Sequence, residues 1–316
     1  MFRKPRQVCP GTNTNSVIMK AMVLAAGLGT RLRPYTSICP KPLFPVMGEA
    51  LVLRIINNLR RSGFTQIVVN AYHLKDQLVE LLCTEADVVL QVEPIELGTG
   101  GGLRMALDTL APGPVLVTNA DIYHDIDYRW VYENHCRQKA GATLVMHDYP
   151  RFNKVSVSEK GTIVSFSADS CPEKDLQTMA FTGIQVIEAD LLTHIPQGKF
   201  YSIITAYNSY LANGGTLKAL ISRRHFWYDI GTPVDYLDLH AHLLAGRTTV
   251  NPFTHTTDNF VFGAGVEVGK DVIFRDWGYV GANAHIGAGS HLERVVVWSG
   301  AQIPPETIAK DTIITQ

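Results

Sequence analysis

The chain has no excess of either charge. Lys plus Arg number 28 and Asp plus Glu 29 over 316 residues, for a formal net charge of −1. A general nucleic-acid binder is normally clearly basic, so this balance argues against one while leaving room for a small basic site. The five cysteines, Cys9, Cys39, Cys83, Cys136 and Cys171, contain no CxxC pair. An odd, scattered set is neither a disulfide framework nor a zinc pattern, and it fits a reducing cytoplasm. No apolar run reaches the ~18 residues that a membrane span requires. Arg3, Lys4 and Arg6 are followed by no apolar segment, so the start does not read as a secretory signal. Disorder of the whole chain is excluded by 46% hydrophobic and 18% charged residues.

A length prior of one domain per ~150 residues gives about two domains. Residues 1–18 read as a disordered tail, with Cys9-Pro10-Gly11-Thr12-Asn13 as its most irregular stretch. Met19 stands directly before the first strand, so the tail is expected to be dispensable or to reflect a misplaced start codon.

Apolar periodicity then alternates strand and helix. Strands are expected at Lys20–Ala25, Thr65–Asn70, Asp87–Val92 and Pro114–Asn119. Helices are expected at Glu49–Ser62 with Gly63 as the stop, Leu74–Cys83, Gly102–Leu110 and Ile126–Lys139. Such alternation implies an α/β fold, a Rossmann-like, doubly wound and mostly parallel sheet. Its ligands belong at the carboxyl ends of the strands. From Ala142 to Ile187 the pattern is β-rich, and helices return at Tyr201–Ala212 and Val234–Leu244. The expected α/β domain is therefore 19–246, followed by a polar linker over 247–259.

Residues 260–316 have another period. Phe262, Val268, Phe274, Val280, Ile286, Leu292 and Trp298 fall every sixth residue, with small or β-branched residues two before most of them. This hexapeptide pattern predicts a short left-handed parallel β-helix. Pro304-Pro305 is expected to break its register, with Ile308, Ile313 and Ile314 covering the open end. About three coils are too few for acyl transfer by His285 or His291, so the expected use is oligomerisation or contact with the first domain.

The chemistry concentrates in a glycine-rich turn, Leu24-Ala25-Ala26-Gly27-Leu28-Gly29-Thr30-Arg31. Such a turn lets backbone N–H groups approach phosphate oxygens. The third glycine of a dinucleotide loop is missing, and so is the Gly-Lys-Ser/Thr of a Walker loop. Arg31 supplies a fork for polyphosphate, and Lys41, between Pro40 and Pro42, a point charge for a single phosphate. Asp121 ends an apolar strand, a place where aspartate commonly caps a helix. Asp229 follows a short aromatic strand. The next helix already has Thr232 as cap, Pro233 at N1 and Asp235 at N3, so Asp229 is free for another role. Two converging carboxylates suit Mg²⁺. His240 and His242 do not share a helix face and read as packing; Tyr207 and Tyr210 read likewise, and Lys154 as a surface lysine.

The run GxGTRLxP…PKP resembles the sugar-1-phosphate nucleotidyltransferases, or NDP-sugar pyrophosphorylases. The likeness continues through Leu97-Gly98-Thr99-Gly100-Gly101-Gly102, Asn119-Ala120-Asp121, Phe181-Thr182-Gly183-Ile184 and Trp227-Tyr228-Asp229-Ile230-Gly231-Thr232-Pro233. It is similar above all to the branch of the N-acetylmuramate-1-phosphate uridylyltransferases and mannose-1-phosphate guanylyltransferases. The resemblance implies a transferase joining an NTP and a sugar-1-phosphate into an NDP-sugar. It implies that Arg31, Lys41 and Asp121 are catalytic and that Asp121 and Asp229 hold Mg²⁺. Leu24, Ala25, Ala26, Gly27, Gly29, Thr30, Gly98 and Thr99 would bind the nucleotide, and Asn119 and Gly183 the sugar. Two departures stand out. No Glu-Lys-Pro occurs between Ala142 and Gly183, and Ala120 replaces the glycine usual before the metal aspartate. The competing reading is a catalytically inactive subunit that senses nucleotide or organises an assembly.

Overall fold

A computed structural model describes residues 18–167, 176–246, 256–257 and 259–315. Most of the expected tail, and residues 247–255 and 258 of the expected linker, lie outside the described residues, as do Cys9 and Cys171. Thr256–Thr257, inside the expected linker, pairs antiparallel with Phe260 and Val261. No helix among the described residues is long and apolar enough to cross a membrane.

The central sheet runs in the order Ile163–Ser165, Val155–Ser158, Leu176–Glu188, Pro114–Asn119, Lys20–Leu24, Gln66–Ala71, Val88–Val92. Ala142–His147 pairs with Leu176–Glu188 and with Leu217–Ile221. The four strands at the Val88–Val92 side are all parallel, and the long strand Leu176–Glu188 joins its neighbours antiparallel. Alternation along Lys20–Leu24 shows why both faces are covered. Ala21 and Val23 enter a core with Leu51, Ile55 and Val131, and Met22 enters the opposite core with Leu103, Leu110 and Tyr207. Strands buried on both faces read as continuous apolar runs, which is how they were legible.

Helix boundaries moved where glycine or local capping decided them. Leu51–Arg61 ends before Gly63, whose φ of +92° is the left-handed stop that glycine adopts freely. The expected helix at Gly102 starts four residues earlier, as Gly98–Met105, with Leu107–Leu110 following it. Glycine is a poor helix former, so the run did not read as helix. The helix expected from Ile126 begins instead at Tyr128, because the Asp127 carboxylate caps it at the Arg129 N–H, 2.8 Å away. Asp121 is therefore not a cap.

Residues 260–314 form two parallel ladders. One joins Phe260–Phe262, Ile273–Val280, His291–Val297 and Ile308–Ile314, and the other Glu267–Val268, His285–Ile286 and Gln302–Ile303. The six-residue register holds at first: Phe262 faces Val280, Val268 faces Ile286 and Phe274 faces Leu292. It then slips by one, and Val280 faces Val297 rather than Trp298. The second corner is one residue shorter, since Arg275 pairs Glu293 while Gly278 pairs Val295. At that corner Arg294 bridges Asp276 at 3.0 Å and Asp311 at 2.6 Å. Pro304-Pro305 does not end the ladder, which continues through Ile308–Ile314, and Ile308 is 81% exposed rather than covering an end.

The ladder alternates its side chains between two cores. Phe260, Val280, Val295 and Val297 pack among themselves, whereas Val261, Tyr279, Val296 and Ile313 pack into the core shared with the helix Pro233–Leu244. Trp298, displaced from the column, joins the latter group.

His240 lies wholly buried in that shared core. Its Nδ1 faces the Tyr236 carbonyl at 2.9 Å, and its Nε2 accepts the Met47 N–H at 3.2 Å. Burial pushes its pKa down to about 4. In the unfolded chain the imidazole takes its proton near pH 6.5. Its stabilising contribution is therefore complete above about pH 6.5 and is lost as pH falls toward about 4, on the order of a few kcal/mol in all. Glu93, whose carboxyl is raised by burial, acts in the opposite sense at the acidic end. The expected result is thus a difference: stability measured by denaturant between pH 7 and 4.5 falls more steeply in the wild type than in His240→Gln. Parallel curves would contradict it.

Candidate functional site

A cleft of about 460 Å³ opens at the carboxyl ends of the parallel strands. Its walls include Leu24, Ala25, Ala26, Gly27, Gly29, Thr30, Arg31, Lys41, Gly98, Thr99, Asn119 and Asp121. These expected residues come from four separate segments of the chain.

The glycine loop is shaped by its two glycines differently. Gly29 has φ +60°, and a Cβ there would lie 2.9 Å from Thr36 Cγ2. At Gly27 a Cβ would meet nothing within 4 Å, so its bareness leaves open space facing the cleft. Arg31 follows on the short 3₁₀ turn Thr30–Leu32, anchored by the buried Leu32. Lys41 is only 7% exposed, and its ammonium lies 2.7 Å from Asp121 Oδ2.

The two aspartates are made neighbours by a small antiparallel ladder. Trp227–Asp229 pairs with Ile122–His124, with Asp229 opposite Ile122, and the Ile230 N–H donates to the Asp121 carbonyl at 3.1 Å. Burial and then the Asp121 charge push the Asp229 carboxyl above the ordinary aspartate range, while Lys41 and Arg31 pull it down. Asp229 itself is not among the cleft-lining residues, but Gly231 is. A Cβ on Gly231 would sit 2.6 Å from Asp229 Oδ2 and 3.1 Å from Arg31 Nη1. The carboxylate and the guanidinium therefore converge on the bare face of that glycine. Thr232 does cap the following helix at the Asp235 N–H, 3.2 Å away, and Asp235 is further held by Arg151 at 2.6 Å.

Gly183 stands apart from the cleft walls. It is buried with φ +81°, at the irregular stretch between Phe181 and Gln185, where a Cβ would lie 2.7 Å from Asn119 Nδ2. The structure thus places it behind Asn119. Lys154 is exposed, and Tyr207 is buried with its hydroxyl 2.6 Å from Gln185 Oε1.

Sequence reading missed a polar relay beneath the cleft. The Ala25 N–H donates to Asn70 Oδ1 at 2.7 Å, and Asn70 Nδ2 donates to Glu93 Oε1 at 2.6 Å. Glu93 Oε2 accepts the Leu97 N–H at 3.2 Å. One buried carboxylate therefore ties the glycine loop to the start of the helix Gly98–Met105. Asn70 lies near the carboxyl end of its strand and Glu93 just beyond the end of its own, the signal already applied to Asp121. Glu96, Phe200 and Ser202 also line the cleft and were not singled out, and Pro42 and Ala120 line it beside Lys41 and Asp121.

The relay explains the third glycine of the Gly100-Gly101-Gly102 run. A Cβ at Gly102 would lie 2.6 Å from Glu93 Oε1 and 2.9 Å from Asn70 Nδ2. Those at Gly100 and Gly101 would crowd the backbone of residues 199–203. Alanine normally favours a helix over glycine. Here Gly102→Ala is expected to destabilise by about 1–3 kcal/mol through overpacking, read as a lowered melting temperature. A raised one would overturn this packing argument.

Residues 20–246 match the nucleotidyl transferase family. The chain belongs to that family. Three relatives show its breadth. A UTP–glucose-1-phosphate uridylyltransferase of Synechocystis is 28% identical over 69% of this chain and 61% of its own length. A mannose-1-phosphate guanylyltransferase of Mycobacterium tuberculosis is 26% identical over 90% of this chain and 80% of its own length. An N-acetylmuramate alpha-1-phosphate uridylyltransferase of Neisseria meningitidis is 39% identical over 36% of this chain and 52% of its own length. Among solved structures, one named as a glucose-1-phosphate thymidylyltransferase from Bacillus anthracis superposes with a TM-score of 0.63 at 22% identity, over 75% of this chain and 98% of its own. That likeness supports the nucleotidyltransferase α/β fold.

Proposed function

We propose that this nucleotidyl transferase moves a nucleoside monophosphate from an NTP to a sugar-1-phosphate, releasing an NDP-sugar and pyrophosphate. The observation that carries the reading is the single cleft joining the glycine loop, Arg31, Lys41 and Asp121, with Asp229 at its edge. The sugar phosphate is already an ionised oxygen nucleophile. It attacks the α-phosphorus of the NTP, a new P–O bond forms, and the bond to the β-phosphate oxygen breaks. No side chain has to remove a proton, so catalysis reduces to alignment and charge neutralisation. The backbone around Gly27, Gly29 and Thr30 cradles the nucleotide, and Leu24, Ala25, Ala26, Gly98 and Thr99 line it. Arg31 takes the departing β- and γ-phosphates. Lys41 takes the incoming sugar phosphate or the α-phosphate. Asn119, backed by Gly183, faces the sugar.

The donor set suits Mg²⁺. Asp121 and Asp229 are acceptor-only groups close enough for the charge of one to raise the pKa of the other, a repulsion that a dication relieves. Among the described residues, no cage of three or more His, Cys, Asp or Glu side chains is gathered. Mg²⁺ commonly takes one or two carboxylates and completes its shell with phosphate and water. When bound it supplies charge neutralisation at the phosphates.

In this reading 19–246 is the catalytic domain, 247–259 the linker and 260–316 a short left-handed β-helix made from the two parallel ladders. We place the enzyme in the cytoplasm, in nucleotide-sugar synthesis for envelope or polysaccharide, with homo-oligomerisation through the β-helix. The deciding experiment is pyrophosphate release from UTP, GTP, CTP and dTTP against a panel of sugar-1-phosphates with Mg²⁺. Turnover on at least one pair is expected. Nucleotide binding without turnover on any pair would favour an inactive sensing or assembly subunit.

A further inference from the structure

The turn that carries Lys41 is set against side chains from the far end of the chain. Within it, the Leu43 N–H donates to the Pro40 carbonyl at 2.8 Å and the Phe44 N–H to the Lys41 carbonyl at 3.1 Å. The turn is compact, so the place of Phe44 fixes the place of Lys41. The Phe44 ring is fully buried, with the Trp298 ring edge-on at 5.2 Å and the Tyr236 ring edge-on at 5.7 Å. Trp298 Nε1 donates to the Tyr236 hydroxyl at 3.2 Å, and that hydroxyl donates to the Pro45 carbonyl. Three residues after Phe44, the Met47 N–H is held by His240. Gly48, at φ +86°, passes directly under the Tyr279 hydroxyl, which a Cβ there would overlap at 2.3 Å. Trp298 and Tyr279 both belong to residues 260–314. The one-residue slip in the ladder is what sends Trp298 toward Phe44 instead of into its own column.

We infer that the C-terminal ladder positions Lys41. Trp298, acting through Phe44 with Tyr236, is a positioning residue that holds the Lys41 ammonium within the cleft against Asp121. The C-terminal segment thereby becomes part of the active-site support, whatever oligomer it also forms. The catalytic consequence rests on the proposed function, but the positioning does not.

The two are separated by reading them differently in the full-length chain. Accessibility of the Lys41 amine is measured by acetic anhydride labelling and mass spectrometry. Lys20 serves as the internal control for global folding, because its amine is bound by the carbonyls of Leu110 at 3.1 Å and Ala111 at 2.8 Å. In Trp298→Ala, Lys41 labelling is expected to rise severalfold with Lys20 unchanged, and Trp298→Phe, which keeps a ring on Phe44, is expected to restore most of the protection. Should the alanine variant not fold, Trp298→Leu keeps the bulk without the ring edge and carries the same expectation. Unchanged Lys41 labelling in a folded variant would overturn the proposal, as would an equal rise at Lys20. Turnover is the second readout. A misplacement of about 1 Å costs on the order of 10²-fold, so kcat/KM is expected to fall roughly 10- to 100-fold. If Lys41→Ala itself keeps full activity, the assigned role of Lys41 fails and the labelling result still decides the positioning.

Discussion

Asp121→Asn is expected to lose at least about 10³-fold in turnover while the protein stays folded. Asparagine has nearly the same size and can still accept from Lys41, whose ammonium is 2.7 Å from the aspartate. What disappears is the charge. In the proposed assignment one anionic ligand of Mg²⁺ is removed and Asp229 is left as the other, and Lys41 loses the counter-ion 2.7 Å from its ammonium. Folding is spared for an identifiable reason. The substitution removes one attractive partner, Lys41, and also the like charge that raises the Asp229 carboxyl. The loss and the gain have opposite signs. Pyrophosphate release, paired with circular dichroism and a melting curve, checks both halves. Full activity in a folded Asp121→Asn protein would sink the assignment of the site.

Arg31→Ala is expected to cost on the order of 10²–10³-fold in kcat/KM, the size of losing one preorganised charged donor to a phosphoryl group in transit. Arg31 is exposed on its 3₁₀ turn, and the core beneath it is held by Leu32, so the fold does not depend on the guanidinium. Its Nη1 reaches the bare face of Gly231, beside Asp229. Removal therefore takes away the proposed phosphate fork and one of the two cations that lower the Asp229 pKa. Arg31→Lys is the sharper test. It keeps the charge and loses the planar fork, so partial recovery is expected, with the remaining deficit measuring bidentate contact. Complete recovery by lysine would mean that only charge matters there.

Much of the candidate site was readable in one dimension because the phosphate chemistry proposed for it uses local motifs. The glycine loop, Arg31 and the Pro40-Lys41-Pro42 turn each lie within a short segment, and glycine spacing reports backbone approach directly. The strands Lys20–Leu24, Gln66–Ala71 and Pro114–Asn119 were readable for an equally local reason, since burial on both faces leaves no alternation to misread. Glu93 and Asn70 were missed because a single polar residue at a strand end is ordinary. Only their mutual distance of 2.6 Å, with the Ala25 and Leu97 N–H groups at the other ends, shows that they act together. The triple glycine was noticed as a motif, but its cause is the crowding by Glu93, Asn70 and the backbone of residues 199–203.

The C-terminal repeat shows the same division. A period of six was visible because inward side chains must recur once per strand. The slip that exchanges Val297 for Trp298 was invisible, because it depends on how many residues a corner consumes. By itself, then, the sequence determined the alternating α/β order, the glycine loop that lines the cleft and the repeat, all set by neighbours in the chain. Tertiary structure alone decided that Asp229 meets Asp121 through a three-residue ladder, and that Trp298 closes on the Lys41 turn. Those meetings join residues far apart along the chain, and their geometry depends on how the packed elements lie in space, which no local period encodes.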